Sequence, residues 1–528
     1  MIIMRTAALV GLLLLQCAGL LGCTSLPPEP PRQASVAWSA PQQTELGRLL
    51  RPSGAAALRG DSGFRLLSGP EAALAARLAL VEAAARTLDL QYYAIHVDQS
   101  TDLLIAELRG AARRGVRVRI LLDDLNSVGQ DAQVMALSFE KNVEVRMFNP
   151  LSGPRTSVLT RAMGSLLDAS QAQRRMHNKL FIADNALAIA GGRNLGDAYF
   201  GRNASSNFVD LDVLASGAIV PALSASFDRY WNDPLAYPVE ALITPEQLQA
   251  MKVHGADAAT AGTPVPPQPT GPKTGATPRF GSGAVALQWL QPGWTWAPAI
   301  VLADKPGKIT EGADADADAD GQDTVVDGLL QLMGKARREV LVVSPYFVPG
   351  QRLLDVFAAM VQRGVRVRVL TNSLASSDSP LAHAGYARYR ERLLALGVEL
   401  YEMRSAQTGR LRALGSAAGS SSSLHAKAVI LDRRTLVIGS MNLDLRSLLY
   451  NTEVALVIRS RPLAELALQG IEPALRDGAY RLELADGQLL WHAPGADRAQ
   501  DSRSEPDASL MLRLTLGLLG PFAPEELL

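Results

Sequence analysis

One pattern of polar residues occurs twice in this chain, at a constant separation of 248 residues. The pattern is His-x-Lys-x4-Asp, followed by a glycine-containing turn and an asparagine. The first copy consists of His177, Lys179, Asp184, Gly191-Gly192 and Asn194, and the second of His425, Lys427, Asp432, Gly439-Ser440 and Asn442. Because every member keeps the same offset, the pattern predicts two similarly folded halves that each supply one half of a single site.

The flanking sequence supports the duplication independently. The word RGVRVR stands at Arg114–Arg119 and again at Arg363–Arg368, an offset of 249. Periodicity predicts helices and strands in the same order in both halves. The predicted helices are 71–86, 101–114, 325–336 and 353–363, and the predicted strands are 88–93, 116–122, 340–343 and 365–370. This alternation is typical of an α/β sandwich in each half.

The residue types of the pattern suit a phosphodiester substrate. In His-x-Lys on a strand both side chains lie on one face, so that imidazole and ammonium point to one place. One histidine can attack phosphorus while the other protonates the leaving oxygen. Lysine and asparagine donors can hold the non-bridging oxygens as negative charge gathers on them.

Paired HxKxxxxD motifs followed by GGxN or GSxN resemble the phospholipase D superfamily, and the resemblance extends over roughly residues 60 to 480. The chain is most similar to the bacterial cardiolipin synthase branch. That narrower resemblance lies in GGRNLGDAYF (191–200), SDSPLAHAGYARYR (377–390) and GSMNLDLRS (439–447). It implies two phospholipase D-like α/β/α sandwich repeats, packed with one active site at their interface.

The resemblance also implies roles for individual residues. His177 is expected to be the nucleophile that forms a phosphohistidine and His425 the acid/base, although the sequence alone does not distinguish the two. Lys179, Asn194, Lys427 and Asn442 would bind the substrate phosphate. Asp210 and Glu453 are expected to orient the histidines, with Asp212 left open as an alternative to Asp210. We interpret Asp184 and Asp432 as structural partners of nearby backbone or basic groups. His383, Tyr386 and Arg390, at helical spacing, line either a substrate groove or a helix packing face.

The N-terminus has the features of a bacterial lipoprotein signal. Arg5 precedes an apolar stretch that ends in Leu20-Leu21-Gly22-Cys23. We expect Cys23 to be lipidated and to anchor the chain in the cell envelope, and Thr24 after it favours the outer membrane, facing the periplasm. An ordinary signal peptide or an uncleaved anchor is the alternative. The only other cysteine is Cys17, so that the folded part is expected to contain no thiol.

Composition changes predict where the parts of the chain begin and end. The expected division is signal peptide 1–22, tether 23–60, repeat 1 at 61–245, Pro/Gly-rich linker 246–285, repeat 2 at 286–480 and C-terminal apolar extension 481–528. The apolar segment 510–519 is too short to span a bilayer. It lies either at a lipid surface or in the core.

These observations favour a phosphatidyltransferase of the cardiolipin synthase type, acting on phosphatidylglycerol or phosphatidylethanolamine. A hydrolase of the phospholipase D type or a nuclease would use the same site, and a non-catalytic envelope scaffold is a remote alternative. The formal net charge of zero argues against a nucleic-acid partner, because such proteins usually carry a basic surplus. We expect no cofactor and no metal, because histidines and lysines supply the acid/base groups and the charge. The oligomeric state stays open.

Overall fold

The computed structural model describes residues 26, 32–50, 59–125, 132–151, 169–243, 280–311, 324–406, 421–495 and 501–520. The expected signal peptide, Cys23 and most of the expected linker lie outside the described residues. No helix in these ranges is both long enough and apolar enough to cross a membrane.

The first half is built on a nine-stranded sheet. The strands are β1 (Ser62–Leu67), β2 (Thr87–Tyr92), β3 (Arg117–Asp123), β4 (Val143–Phe148), β5 (Leu180–Ala183), β6 (Leu187–Gly191), β7 (Ser206–Val209), β8 (Asp212–Ser216), β9 (Ala236–Pro238) and β10 (Thr295–Ala297). All of them except β7 belong to this sheet, in the order β10-β1-β8-β6-β5-β2-β3-β4-β9. Strands β2, β3 and β4 are parallel, and their neighbours are antiparallel.

The second half repeats this sheet. Its strands are β11 (Ala299–Ala303), β12 (Glu339–Val343), β13 (Arg366–Asn372), β14 (Glu399–Met403), β15 (Ser421–Leu424), β16 (Ala428–Leu431), β17 (Thr435–Gly439), β18 (Val454–Arg459), β19 (Ala479–Ala485) and β20 (Gln488–His492). The order is β11-β18-β17-β16-β12-β13-β14-β19-β20. Strand β15 pairs in parallel with β7 and thereby joins the two halves.

Helices cover the faces of both sheets. They are α1 (Glu45–Leu49), α2 (Pro70–Ala83), α3 (Gln99–Arg113), α4 (Ala132–Ala136), α5 (Ala169–Gln173), α6 (Ile219–Trp231), α7 (Gly283–Leu290), α8 (Gly307–Glu311), α9 (Val325–Gly334), α10 (Gly350–Gln362), α11 (Pro380–Ala387), α12 (Arg390–Ala395), α13 (Leu445–Leu449), α14 (Arg461–Asp477) and α15 (Leu510–Leu519). Helices α3 and α10 are each followed by a glycine with positive φ, Gly115 at 93° and Gly364 at 79°. Glycine adopts this conformation without steric cost, so it turns the chain into the RGVRVR strand.

The predicted fold class is confirmed: each half is an α/β sandwich around a central sheet. One hydrophobic cluster contains buried residues of both halves, including Phe64 and Leu180 from the first sheet and Leu341 and Leu456 from the second. The two halves therefore pack face to face over a shared apolar interface, which stabilises their relative position.

Some segments outside the predicted repeats also contribute to the halves. Backbone groups of Ser35 and Ala37, in the expected tether, donate to side chains of α6 and its cap. Helix α7, which crosses the predicted boundary between the linker and repeat 2 at residue 286, packs against α2 of the first half. Its successor β10 pairs with β1 and is thus part of the first sheet. Strands β19 and β20 extend the second sheet into the predicted C-terminal extension.

Candidate active site

Each catalytic histidine expected from the sequence precedes a central strand and is held by the opposite half. His177 lies three residues before β5, and its backbone N–H donates to the carbonyl of Thr452 at 3.0 Å. His425 lies three residues before β16 and donates in the same way to Val209 at 2.8 Å. Both side chains are almost fully buried at the interface between the halves. The geometry therefore brings the two motif copies together from opposite sides.

The carboxylates that contact the histidines also cross between the halves. Glu453 of the second half lies 2.9 Å from Nδ1 of His177. Asp210 of the first half lies 2.7 Å from Nδ1 of His425. A carboxylate at Nδ1 fixes the ring and leaves Nε2 available for chemistry. Each histidine is thus oriented by a residue that belongs to the other copy of the fold.

Asp212, the alternative to Asp210, has different contacts. Its carboxylate lies 3.0 Å from Arg77 and 3.4 Å from Arg193, and all three side chains are buried. Asp210 stands in the short connection between β7 and β8, whereas Asp212 is the first residue of β8. Asp210, and not Asp212, is therefore the carboxylate that is hydrogen-bonded to His425.

The glycine-containing turns differ for a steric reason. A Cβ atom on Gly192 would lie 2.3 Å from Oδ1 of Asp210, which is too close for any side chain. In the second half the corresponding Ser440 donates its hydroxyl to Glu453, and the Ser447 hydroxyl donates to the same carboxylate at 2.9 Å. The first half thus uses a glycine to admit its carboxylate, while the second half uses serine hydroxyls to hold its own.

The four expected phosphate ligands are buried beside the histidines. Nζ of Lys179 donates to the carbonyl of His177 at 2.8 Å, and Nζ of Lys427 to that of His425 at 2.7 Å. Asn194 donates to the hydroxyl of Tyr199 at 3.1 Å. Oδ1 of Asn194 and of Asn442 are buried without a hydrogen-bond partner. An unpaired buried polar group is costly, so these amides are available to a ligand, with the NH₂ group facing the phosphate if the amide is flipped.

Burial and neighbouring charges perturb the ionisation of the site. Burial, reinforced by Lys179 and Lys427, lowers the pKa of His177 well below its usual value. Burial also lowers the pKa of His425, but Asp210 acts in the opposite direction. Burial lowers the pKa of Lys179 to about 7 and that of Lys427 to about 8. His177 is therefore a neutral imidazole between two amines that an anionic ligand would keep protonated.

The two orienting carboxylates ionise differently. Burial raises the pKa of Glu453 to about 7, since Lys179 and the serine hydroxyls offset only part of the desolvation. Burial alone would also raise the pKa of Asp210, but the charge and hydrogen bond of His425, together with the charges of Arg193 and Lys427, outweigh it and lower that pKa. At neutral pH Asp210 is therefore ionised, while Glu453 is partly protonated.

The two motif aspartates lie away from the histidines. Asp184 accepts backbone N–H groups of residues 85 to 87 at 2.7 to 3.0 Å. Asp432 accepts those of residues 337 to 339 at 2.7 to 3.1 Å. Both aspartates have positive φ, 53° and 51°. Each carboxylate ties the turn after the motif strand to the start of the neighbouring antiparallel strand, β2 in the first half and β12 in the second.

Aromatic residues that the motif analysis did not select surround the histidines. The Tyr93 ring meets His177 edge-on at 5.1 Å, and Tyr199 meets His425 at 5.2 Å. Tyr346 donates to Asp378 at 2.7 Å, and Asp378 raises the pKa of His425, which places it near the site. A signal for two of them was present in the sequence, because Tyr93 and Tyr346 both follow the first parallel strand of their half.

The residues expected to line a substrate groove or a packing face are buried. Arg390 lies 2.8 Å from Glu402 and 2.5 Å from Glu505, and His383 lies 3.5 Å from Glu505. The Arg390 guanidinium stacks 4.9 Å from the Tyr386 ring. These contacts fix the segment after β20 to α11 and α12, as a packing face does. The groove role of this face stays a prediction.

The segment fixed in this way leads into α15, whose apolar side is exposed. Leu510, Met511, Leu514 and Leu518 are 55% to 73% exposed. Helix α15 contacts α11, which begins two residues after Asp378 and exposes half of Leu381. None of residues 510–518 is buried, so burial in the core, one of the two alternatives for this segment, does not occur over these residues. The four exposed residues of α15 and Leu381 form an exposed apolar face, which we call the α15 face. It lies next to α11, the helix that begins two residues after Asp378.

The profile of the family described as "Cardiolipin synthase, PLD-like domain" matches residues 78–231 and 329–472. Cardiolipin synthase C of Escherichia coli (strain K12) is 36% identical over 477 residues, which are 89% of this chain and 97% of that protein. Cardiolipin synthase A of Cronobacter sakazakii is 24% identical over 77% of this chain and 68% of that one. The crystal structure of phosphatidylserine synthase from Haemophilus influenzae shares the fold, with a TM-score of 0.52 over 79% of this chain and 87% of that one, at 14% identity. The chain therefore belongs to the cardiolipin synthase-like family of the phospholipase D superfamily.

Proposed function

We propose that this protein is a phosphatidyltransferase that makes cardiolipin from phospholipids through a phosphohistidine on His177. The observation that carries the proposal is the crossed pair of His–carboxylate contacts, Glu453 with His177 and Asp210 with His425. Two oriented imidazoles at one interface supply both a nucleophile and a proton carrier, as a two-step phosphodiester exchange requires. The name of the Escherichia coli relative supports cardiolipin as the product.

In the first step Nε2 of His177 attacks the phosphorus of the donor phospholipid. The P–O bond to the headgroup alcohol breaks, and the proton on His425 passes to the departing oxygen. The lowered pKa of His177 keeps its lone pair free. His425 holds a proton more readily than His177, because the carboxylates of Asp210 and Asp378 raise its pKa against the effect of burial. These electrostatics support the assignment of the two roles.

In the second step the hydroxyl of a phosphatidylglycerol molecule attacks the phosphohistidine. His425 takes the hydroxyl proton, the P–N bond breaks, and His177 is regenerated. Lys179, Lys427, Asn194 and Asn442 surround the phosphoryl oxygens, where fixed donors lower the barrier most. With phosphatidylglycerol as donor the products are cardiolipin and glycerol; with phosphatidylethanolamine they are cardiolipin and ethanolamine.

The substrates lie in a membrane, and two features would bring the site to it. One is acylation of Cys23, which lies outside the described residues; the corresponding proposal is anchoring in the outer membrane on the periplasmic side. The other is the α15 face, which is apolar and lies next to α11, the helix that begins close to the site. An amphipathic helix of this kind lies in the plane of a lipid interface.

Product analysis tests the proposal directly. The purified full-length protein is incubated with phosphatidylglycerol vesicles, with and without phosphatidylethanolamine, and the lipids are separated by thin-layer chromatography. We expect cardiolipin, together with release of the headgroup alcohol. Phosphatidic acid as the only lipid product would replace the transferase by a phospholipase D-type hydrolase, and no lipid product would refute both.

A further inference from the structure

The two halves differ in the helix behind the active-site strands. Gly191 of β6 pairs with Asp212 of β8, and Gly439 of β17 pairs with Ala455 of β18. These registers make Asp212 and Ala455 equivalent, an offset of 243 residues. With the same offset, α6, which follows β8, corresponds to α14, which follows β18. Phe227 of α6 then corresponds to Gly470 of α14, and Trp231 corresponds to Ala474.

The large residues of the first half fill the space under their helix. Phe227 and Trp231 are completely buried, with their rings stacked at 5.8 Å. In the second half the equivalent Gly470 and Ala474 line a cavity of about 280 Å³. A Cβ atom added to Gly470 would meet no atom within 4 Å. The cavity therefore exists because α14 lacks the aromatic side chains that α6 has.

The cavity extends from the surface to the back of the active site. Its outer rim includes Leu466, which is 51% exposed, and the exposed Ser68 and Gln469. Its inner wall includes Leu424, Ala426 and Ala428. These residues alternate with His425 and Lys427 along the chain, so they face away from the phosphate site. Asp210, which contacts His425, also lines the cavity.

We infer that this cavity binds one hydrocarbon chain of a lipid. Apart from Asp210 at the inner end and Ser68 and Gln469 at the rim, the lining is apolar or glycine. An apolar cavity stays dry, and one of about 150 Å³ already accepts benzene. The choice of a lipid chain over other apolar ligands rests on the proposed function. The chain belongs either to the substrate or to a separate lipid such as a fatty acid.

Binding can be measured without turnover. The full-length protein is titrated with the fluorescent fatty acid cis-parinaric acid below its micelle concentration. The variant Gly470→Phe/Ala474→Trp gives the second half the residues of the first half and should weaken probe binding at least tenfold. Arg476→Trp adds an aromatic ring to an exposed site of the same helix, away from the cavity, and should leave binding unchanged. If the double variant does not fold, Ala474→Leu serves as a smaller filling substitution.

Retained probe binding by a folded filling variant, or no saturable binding by the unmodified protein, would overturn the inference. Kinetics with the filling variant then identify the source of the chain. If it belongs to the substrate, KM rises for long-chain phosphatidylglycerol and not for a short-chain form. If it belongs to a separate lipid, KM is unchanged for both. Failure of the proposed function appears instead as absent lipid products while probe binding persists.

Discussion

The two halves of this molecule share a strand order but complete their sites differently. Each sheet places a histidine and a lysine at the interface in the same way, yet the carboxylate is aspartate in one half and glutamate in the other. Asp210 requires the space left by Gly192, whereas Glu453 is held by two serine hydroxyls. Duplication thus preserves the backbone that positions the histidine and lysine side chains, while the residues around them make the two imidazoles chemically unequal.

This inequality bears directly on the division of labour in a two-step reaction. Burial and lysine charges lower the pKa of both imidazoles. At His425 the carboxylates of Asp210 and Asp378 oppose this effect, whereas the pKa of His177 falls well below its usual value. The difference favours His177 as nucleophile and His425 as proton carrier. Equivalent substitutions in the two halves should therefore differ in at least one measured property.

The largest effect is expected from the histidines. His177→Ala and His425→Ala should each lower turnover of phosphatidylglycerol by at least about 10⁴-fold, since both steps need both residues. A substrate with a nitrophenol leaving group separates their roles, because nitrophenolate departs without an acid. His425→Ala should then still release one equivalent of nitrophenol per site in a rapid burst, while His177→Ala should release none. A burst from His177→Ala alone would reverse the assignment.

Asp210→Asn should lower turnover by about 10²- to 10⁴-fold. This loss should exceed that of Glu453→Gln, because Asp210 is the carboxylate that is ionised at neutral pH. The amide introduced by Glu453→Gln would resemble the protonated form of the glutamic acid, so we expect a loss of roughly tenfold. Measured kcat values for the two purified variants test this order. Equal losses would show that the two carboxylates act alike.

The same two substitutions should differ in how stability depends on pH. The pKa of Glu453 is raised from 4.5 to about 7, so its contribution to stability is present below pH 4.5 and is lost as pH rises through 7. Glu453→Gln should remove this loss, worth about 3 kcal/mol, between pH 5 and pH 8. Asp210 has a lowered pKa and keeps its contribution until pH falls below 3.8. Urea unfolding should therefore show that Asp210→Asn does not change how the free energy of unfolding varies with pH between pH 5 and pH 8.

The turn residues should respond in opposite ways to exchange. Gly192→Ser places a Cβ atom 2.3 Å from Oδ1 of Asp210, which must move the carboxylate away from His425. We expect a loss of about 100-fold in kcat, comparable to the loss of an orienting group. Ser440→Gly removes a hydroxyl donor from Glu453 but causes no clash, so a loss of roughly tenfold is expected from one charge-assisted hydrogen bond. Similar losses in both variants would mean that the turns are equivalent after all.

How much of this could be predicted from sequence depends on how local each feature is. The His-x-Lys pairs and the strands that carry them follow from side-chain alternation over three residues. The choice of Asp210 over Asp212 does not, because it depends on where β7 ends and on Arg77, which is far away in the sequence. Tyr346 and Asp378 meet near His425 only after α11 is placed. The cavity under α14 arises because Gly470 and Ala474 stand where the first half has large aromatic residues. No sequence pattern around these two small residues predicts a cavity.

The smallest effect is expected from the α15 face, which has no equivalent in the first half among the described residues. Met511→Ser/Leu514→Ser should lower turnover of phosphatidylglycerol in vesicles a few-fold, because less apolar area is then available to enter the lipid interface. Turnover of short-chain phosphatidylglycerol dissolved as monomers should be unchanged, since no interface is involved. Leu484→Ser replaces an exposed leucine on β19 and is the matched control, which should behave like the unmodified protein on both substrates. An equal loss on monomers and vesicles would instead assign Met511 and Leu514 to the stability of the fold.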